Sequence, residues 1–117
     1  MTDKICKSYN NTFSLRVINT VTDKDMHLIS ILFKALSNET HIEILLILSK
    51  HESLSVSELS NIIGKSSSLI SHNINNLKFN KLVFGKREGK YVFYSLASNK
   101  VKTMLISSMI HLSELNN

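Results

Sequence analysis

The sequence predicts a mainly α-helical fold of about five helices with one small β-hairpin. Residues 55–63 and 66–77 repeat apolar side chains at the helical spacings of three and four, and a Gly-Lys turn separates the two stretches. Residues 82–96 instead gather β-branched and aromatic side chains on both sides of a basic tip, which is typical of two strands joined by a turn. A helix pair followed directly by a basic hairpin predicts a winged helix-turn-helix.

Two helices are predicted before this pair. In residues 25–36 one face collects apolar side chains: Leu28, Leu32, Ala35 and Leu36. Ser37 and Asn38 interrupt the pattern, and Asn38 suits the N-cap of the next helix. That helix, residues 39–50, is apolar nearly all round, so we expect it to be the buried centre of the fold.

The first helix of the pair has signals at both ends. Ser55 and Glu58 form the Ser-x-x-Glu pattern of a capping box, in which each side chain accepts from the other residue's backbone N–H. The apolar face that follows holds Leu59, Ile62 and Ile63. Gly64 then stands where a helix end favours a left-handed residue.

The second helix of the pair has two chemically different faces. Its start, at Ser66, has good N-cap chemistry, and its apolar face holds Ile70, Ile74 and Leu77. The other faces carry small hydrogen-bonding side chains: Ser67, Ser68, Ser71, His72 and Asn75. Such a face can enter a DNA major groove and read base edges. An ordinary helical hairpin with a polar outer face fits the same pattern when the helices are considered alone.

The hairpin favours the DNA-binding interpretation. Its tip, residues 85–90, carries three cations, one anion and two glycines. On its own, such a tip fits an ordinary solvated turn. A helix with a hydrogen-bonding face followed directly by a basic hairpin favours a DNA-binding function. We expect phosphates to be held by Lys65, Lys86, Arg87 and Lys90. Ser66 and Asn75 complete the predicted DNA-binding set.

The last helix, which begins near Ser98, predicts an interface between two copies of the chain. Its apolar side chains occupy two faces, and Ile106 and Ile110 lie away from the main one. This is more apolar surface than one core of this size needs, and such surface usually marks an interface. The predicted dimer contacts are Leu28, Val101, Met104, Leu105, Ser108, Met109 and Leu112. A two-fold homodimer is the commonest closed assembly for such a surface.

Length and composition agree with a small DNA-binding protein. The chain has 117 residues and is 43% hydrophobic, which is enough for one core. Its net charge of +5 becomes +10, twice +5, in a dimer, and this charge suits a polyanionic partner. We expect residues 1–24 to be an N-terminal extension, partly flexible or with a short helix at 13–18. Residues 25–117 are expected to form the DNA-binding and dimerisation domain.

Other classes of protein are not indicated. No apolar run approaches the about 18 residues that span a bilayer, and the first residues lack the apolar core of a signal peptide. A single cysteine, Cys6, excludes an intrachain disulfide, so we expect a cytoplasmic protein. The sequence has no Gly-rich phosphate loop, no Gly-x-Ser-x-Gly elbow and no His-Glu-x-x-His motif. We therefore predict neither an enzyme nor a cofactor.

Three ordered blocks resemble the ArsR/SmtB family of small winged-helix repressors, over roughly residues 25–115. Residues 32–45 resemble the family's opening signature, with His41 where an arginine is usual. Residues 71–77 are similar to the family's recognition helix, and residues 87–96 to its wing. The resemblance implies a homodimer held by the first and last helices. It also implies an inverted-repeat operator and repression until an inducer, often a metal ion, arrives.

Most of the residues at the metal-ligand positions that the resemblance implies are poor ligands. One site maps onto Ser98, Lys100, His111 and Glu114, of which only the last two bind metal well. The other maps onto Ser55 and Ser57, which offer no thiolate, and Cys6 stands alone where its partner ligands are expected. We therefore predict a repressor without the usual metal control and with an unknown inducer. The alternatives are a metal-responsive repressor using His111 and Glu114, and a winged-helix module that binds protein.

Overall fold

The computed structural model describes residues 19–116, and five helices and three strands lie wholly within them. In chain order these are α1 Asp23–Leu36, α2 Glu39–Ser49, β1 Leu54–Ser55, α3 Val56–Ile63, α4 Ser67–Phe79, β2 Val83–Glu88, β3 Tyr91–Leu96 and α5 Asn99–Leu115. The mainly helical fold with a small hairpin is confirmed. Cys6 and the short helix expected at 13–18 lie outside the described residues. Within residues 19–116, no helix is long and apolar enough to cross a membrane.

The chain divides into two compact units between Ile31 and Leu32, within α1. In the first unit, reciprocal hydrogen bonds fix the start of α1. The Thr22 N–H donates to the Asp25 carboxylate over 3.0 Å, and the Asp25 N–H donates to the Thr22 hydroxyl over 3.1 Å. The pKa of Asp25 lies below its ordinary value, because hydrogen bonds with Thr22 favour the charged carboxylate. The bond with the Thr22 backbone has the larger effect and the bond with its side chain the smaller one.

The second unit is built around α2, as the apolar pattern predicted. Ile44, Leu45 and Leu48 of this helix are 0–2% exposed. Around them pack buried residues from β1, α3, α4, β2 and α5 and from the turn before β2: Leu54, Leu59, Ile70, Ile74, Leu77, Leu82, Val83, Val101 and Leu105. Side chains buried to this extent each contribute about 1.5–3 kcal/mol of transfer free energy. The positions of α3 and α4 are therefore fixed by their packing on α2.

Capping interactions set the helix boundaries at the predicted places. Asn38 accepts from the His41 N–H over 3.1 Å at the start of α2, and Ser66 accepts from the Leu69 N–H over 3.2 Å at the start of α4. Gly64 ends α3 in the left-handed conformation, with φ of 79°. Residues with a β-carbon rarely adopt that conformation, so glycine is favoured at the turn between the two helices.

The sheet has one strand more than the sequence predicted. Its order is β1-β3-β2 with antiparallel pairs, and β1 contributes only Leu54 and Ser55, opposite Tyr94 and Phe93. A two-residue strand with both residues buried has no alternation to detect in the sequence. Its pairing joins the base of the hairpin to the segment that leads into α3.

We expect Ser55→Ala to destabilise the fold by about 1 kcal/mol, the usual cost of losing an N-cap side chain. The Ser55 hydroxyl accepts from the Glu58 N–H over 3.2 Å, while the Glu58 carboxylate accepts from the Ser55 N–H over 3.0 Å. Ser57→Ala is the matched control, because Ser57 is exposed in the first turn of the same helix. The measurement is urea unfolding at one protein concentration. Equal stability of the two variants would contradict the role of the cap.

Candidate nucleic-acid interface

The two faces of α4 are separated as predicted. Ile70, Ile74 and Leu77 have no exposed surface and hold the helix on the core. The predicted base-reading residues, with Ser66 and Asn75, are all exposed: Ser66, Ser67, Ser68, Ser71, His72 and Asn75. The helix therefore presents hydroxyl, imidazole and amide side chains to solvent, together with the exposed Leu69 and Phe79. Because the buried face fixes the rotation of α4 about its axis, these side chains all lie on the side of the helix that faces solvent.

Asn73 belongs to the buried side of α4, although it is polar. It is 5% exposed, and its amide Nδ2 donates to the Leu69 carbonyl over 2.8 Å. A buried amide needs such a partner because an unsatisfied donor costs about 1–3 kcal/mol. Asn73 is thus a structural residue. The exposed polar side chains of α4 belong to other positions, such as His72 and Asn75 on either side of it.

Lys65 has a more specific environment than the sequence indicated. Its Nζ donates to Thr40 Oγ1 over 3.0 Å, and its backbone carbonyl accepts from the Ser60 hydroxyl. The residue is half-buried in the turn between α3 and α4. The side chain of Lys65 is therefore bonded to the start of α2, and its backbone is bonded to α3. The sequence separation of 25 residues between Lys65 and Thr40 leaves no local signal of this contact.

The predicted wing cations are exposed around the hairpin tip. Lys86 pairs in register with Phe93 and Arg87 with Val92, so their side chains project from opposite faces of the hairpin. Lys90 follows the turn residue Gly89 and lies 5.6 Å from the centroid of the Tyr91 ring. The tip thus carries positive charge on both faces, which suits contact with a phosphate backbone.

A glycine in β2 allows the wing to pack closely. A β-carbon at Gly85 would lie 2.9 Å from Cε1 of Tyr94 and 2.9 Å from Cγ1 of Val92. These distances are shorter than ordinary van der Waals contact, so the Tyr94 ring occupies the space that a side chain at this position needs. This role of Gly85 was not predictable, because close approach across strands leaves no mark on local sequence.

His41 forms a local hydrogen bond. Its Nδ1 lies 2.8 Å from the Ala35 carbonyl, which only accepts, so Nδ1 carries the proton. The side chain is 6% exposed, and its Nε2 is buried with no hydrogen-bond partner among the described residues. The bond joins the last turn of α1 to the first turn of α2. His41 thus takes a structural role at the position where the resemblance implies an arginine.

Of the residues at the metal positions that the resemblance implies, only His111 and Glu114 carry side chains that bind metal well. The hydroxyl of Ser55 is part of the α3 capping box and the residue is 7% exposed. Lys100 would bring an ammonium towards a cation, and His111 and Glu114 are exposed on the last turns of α5. In residues 19–116, no three His, Cys, Asp or Glu side chains gather in a group that could hold a metal ion.

The predicted dimer contacts of the second unit lie along an apolar groove of about 340 Å³. Val101 and Leu105 are 7% and 8% exposed, so the structure places these two mainly in the core of the protomer. Met104, Met109 and Leu112 are 37%, 54% and 57% exposed and remain available at the surface. Ser108 is exposed, with its hydroxyl bonded to the Met104 carbonyl over 2.9 Å. In the first unit, the predicted contact Leu28 is 53% exposed.

Comparison with known proteins identifies the family. The sequence profile of bacterial regulatory proteins of the arsR family matches residues 38–83, from the N-cap of α2 to the start of β2. A cadmium resistance transcriptional regulatory protein CadC homolog from Staphylococcus aureus is 37% identical over 82 residues, which cover 70% of this chain and 68% of the relative. The transcriptional activator HlyU of Vibrio cholerae is 40% identical over 75 residues, which cover 64% of this chain and 68% of the relative.

Solved structures agree with these sequence matches. Reduced HlyU from Vibrio cholerae superimposes with a TM-score of 0.64 at 36% identity, over 71% of this chain and 86% of that one. A winged helix-turn-helix DNA-binding domain from Mycobacterium bovis, described as homodimeric, gives a TM-score of 0.72 at 24% identity, over 80% and 88% of the two chains. At that identity the second likeness shows the fold alone. The chain therefore belongs to the ArsR family of transcriptional regulators, which bind DNA through a winged helix and are not enzymes.

Proposed function

We propose that the protein binds an inverted-repeat operator as a homodimer and represses transcription, without control through the family's usual metal sites. The observation that carries the proposal is the division of α4. Its isoleucine face is wholly buried, while its serine and histidine face is exposed beside a wing with three cations. Hydrogen-bonding side chains on a rigid helix can discriminate bases, and wing cations add affinity that does not depend on sequence.

The roles of the individual residues follow from their chemistry. Hydroxyl groups both donate and accept, so Ser67, Ser68 and Ser71 suit several base edges. His72 and Asn75 reach further, and both offer a donor and an acceptor. Ser66 uses its oxygen to cap α4 but keeps its hydroxyl hydrogen for a backbone phosphate. Arg87 and the two wing lysines hold phosphates on both sides of the tip.

The homodimer is proposed from the exposed apolar residues of α5. Met104, Met109 and Leu112 lie on one side of the helix, beside the apolar groove. A two-fold axis through this side would bring each residue against the same surface of a second copy, as in an isologous interface. The homodimeric Mycobacterium bovis domain shares this fold, which agrees with the proposal. Two copies would place two α4 helices for an operator with two half-sites.

Regulation without the usual metal sites is proposed from the residues at those positions. The Staphylococcus aureus relative is named for cadmium resistance, so metal control is the competing hypothesis. In this chain the hydroxyl of Ser55 is committed to a helix cap, and Lys100 is a cation. We further propose that residues 1–24 form an extension of the DNA-binding and dimerisation domain, and that the protein acts in the cytoplasm.

We expect wing and helix variants to affect DNA binding differently. The double variant Arg87→Ala, Lys90→Ala should weaken binding to all duplexes alike. The slope of log affinity against log salt concentration should become shallower by about 0.9 for each lost phosphate contact. Ser68→Ala or His72→Ala should instead reduce discrimination between operator and random DNA, with a cost of about 1–3 kcal/mol on the operator. Binding to an operator selected from random duplexes, measured at several salt concentrations, tests both expectations. The reverse pattern would exchange the roles of wing and helix.

We expect a stable dimer at micromolar concentration, with twice the protomer mass of 13.3 kDa. Leu112→Glu should yield monomers, because it places a charge within an apolar contact where it has no partner. Thr103→Glu is the control, because it adds the same charge on the far side of α5. Multi-angle light scattering reports the mass directly. A monomeric wild type, or dissociation by the control alone, would refute the interface.

We expect operator affinity to change by less than about threefold when zinc, cadmium or arsenite is added. Allosteric release needs a coupling free energy of typically about 1–3 kcal/mol, which an incomplete site such as His111 with Glu114 cannot supply. His111→Ala should therefore bind the operator as the wild type does, with and without metal. Zinc titration followed by DNA-binding assays makes the measurement. One tight zinc ion per protomer, with DNA released as the site fills, would support the metal-sensor alternative instead.

A further inference from the structure

The contact between Lys65 and Thr40 leaves hydrogen-bond donors that have no acceptor in the described part of the chain. Lys65 Nζ donates one of its three N–H groups to Thr40 Oγ1 over 3.0 Å. Two N–H groups of Lys65 and the O–H of Thr40 then remain, and within residues 19–116 no group accepts from them. No carboxylate in the same part of the chain pairs with Lys65, although Glu39 is the neighbour of Thr40 in sequence. Adjacent donors with net positive charge and no acceptor favour an oxyanion as partner.

The two donors are held in place before any ligand arrives. Thr40 and Lys65 are both half-buried, and the Lys65 carbonyl is bonded by the hydroxyl of Ser60. Gly64, just before Lys65, ends α3 in the left-handed conformation and so fixes the path of the chain. A lysine on the surface normally loses side-chain entropy when it binds an anion. Here much of that loss is already incurred in the free protein, so binding costs less.

We propose that Thr40 and Lys65 form a preformed site for one backbone phosphate of the DNA, shared between α2 and the turn before α4. One phosphate oxygen accepts from the Lys65 ammonium and the Thr40 hydroxyl together, because these two donors are only 3.0 Å apart. The site immediately precedes Ser66, the N-cap of α4, and the exposed Ser67 and Ser68. A phosphate bound here therefore fixes the register of the reading face along the duplex.

This proposal deepens the proposed DNA-binding function and rests on it. Its new content is Thr40, a residue of α2 outside both the helix pair and the wing. It also makes Lys65 part of a two-residue site, where the sequence had indicated a single cation. A phosphate contact of this kind acts on every duplex equally, so it is tested with a duplex of mixed sequence and needs no knowledge of the operator.

The test compares Thr40→Val and Lys65→Met in the full-length chain by fluorescence anisotropy with a mixed-sequence duplex at several salt concentrations. Thr40→Val keeps the shape of the side chain and removes the hydroxyl, and it should weaken binding about fivefold. Lys65→Met should reduce the log–log salt slope by about 0.9 for each protomer on the duplex. The double variant should lose less affinity than the two single losses combined, because both residues hold the same phosphate.

Matched controls separate this site from general effects. Thr103→Val removes a hydroxyl that is bonded to the Asn99 carbonyl on α5, and Lys50→Met removes an exposed cation at the other end of α2. Both should bind as the wild type does. Thr40→Ser restores the hydroxyl and should recover affinity, which keeps the test decisive if Lys65→Met does not fold. Thermal melts followed by circular dichroism report folding.

Two results would overturn the phosphate site. If Thr40→Val binds the duplex as tightly as the wild type, Thr40 contacts no phosphate. If Lys65→Met loses affinity with an unchanged salt slope, Lys65 only positions the turn. Failure of the DNA-binding function itself looks different, because the wild type and both controls would then bind no duplex at any salt concentration.

Discussion

The packing of α4 on α2 and α3 is the constraint on which the interface depends. Ile70, Ile74 and Leu77 are fully buried, and exposing any one of them would cost about 1.5–3 kcal/mol. Rotating α4 about its axis to present a different face would expose all three and bury serine hydroxyls without partners. The orientation of the reading face is therefore determined by the hydrophobic core. The exposed residues are consequently free to vary in chemistry without moving the helix.

Ser55 uses its side chain to stabilise the fold, at a position where the resemblance to the family implies a metal ligand. Its hydroxyl accepts the Glu58 N–H at the start of α3, and its own N–H is bonded by the Glu58 carboxylate. A hydroxyl is a strong N-cap acceptor, whereas soft metals select thiolate ligands. A chain that caps α3 with serine therefore gains helix stability and offers no thiolate at this position.

Local signals explain what the sequence predicted, and long-range contacts explain what it missed. The ends of α3 and the start of α4 were predictable because Ser55, Glu58, Gly64 and Ser66 act on residues at most four positions away. The strand β1 was missed because two residues show no period and depend on a partner about forty residues later. The Thr40–Lys65 bond and the packing of Tyr94 over Gly85 also join distant residues. The exposure of Met104 and the burial of Val101, on adjacent turns of α5, likewise depend on tertiary packing that periodicity alone does not resolve.

In the proposed interface, phosphate binding and base reading belong to different elements of the chain. The exposed residues on the first turns of α4 are serines, a histidine and Leu69, and the nearest lysine on that helix, Lys78, lies in its last turn. We therefore propose that the electrostatic part of binding comes from the wing and from the turn that contains Lys65. Because phosphate contacts do not distinguish sequences, a change in the wing alters affinity and its salt dependence while the hydrogen bonds of α4 continue to select bases. The two properties can thus change independently, provided that the buried isoleucines keep α4 in place.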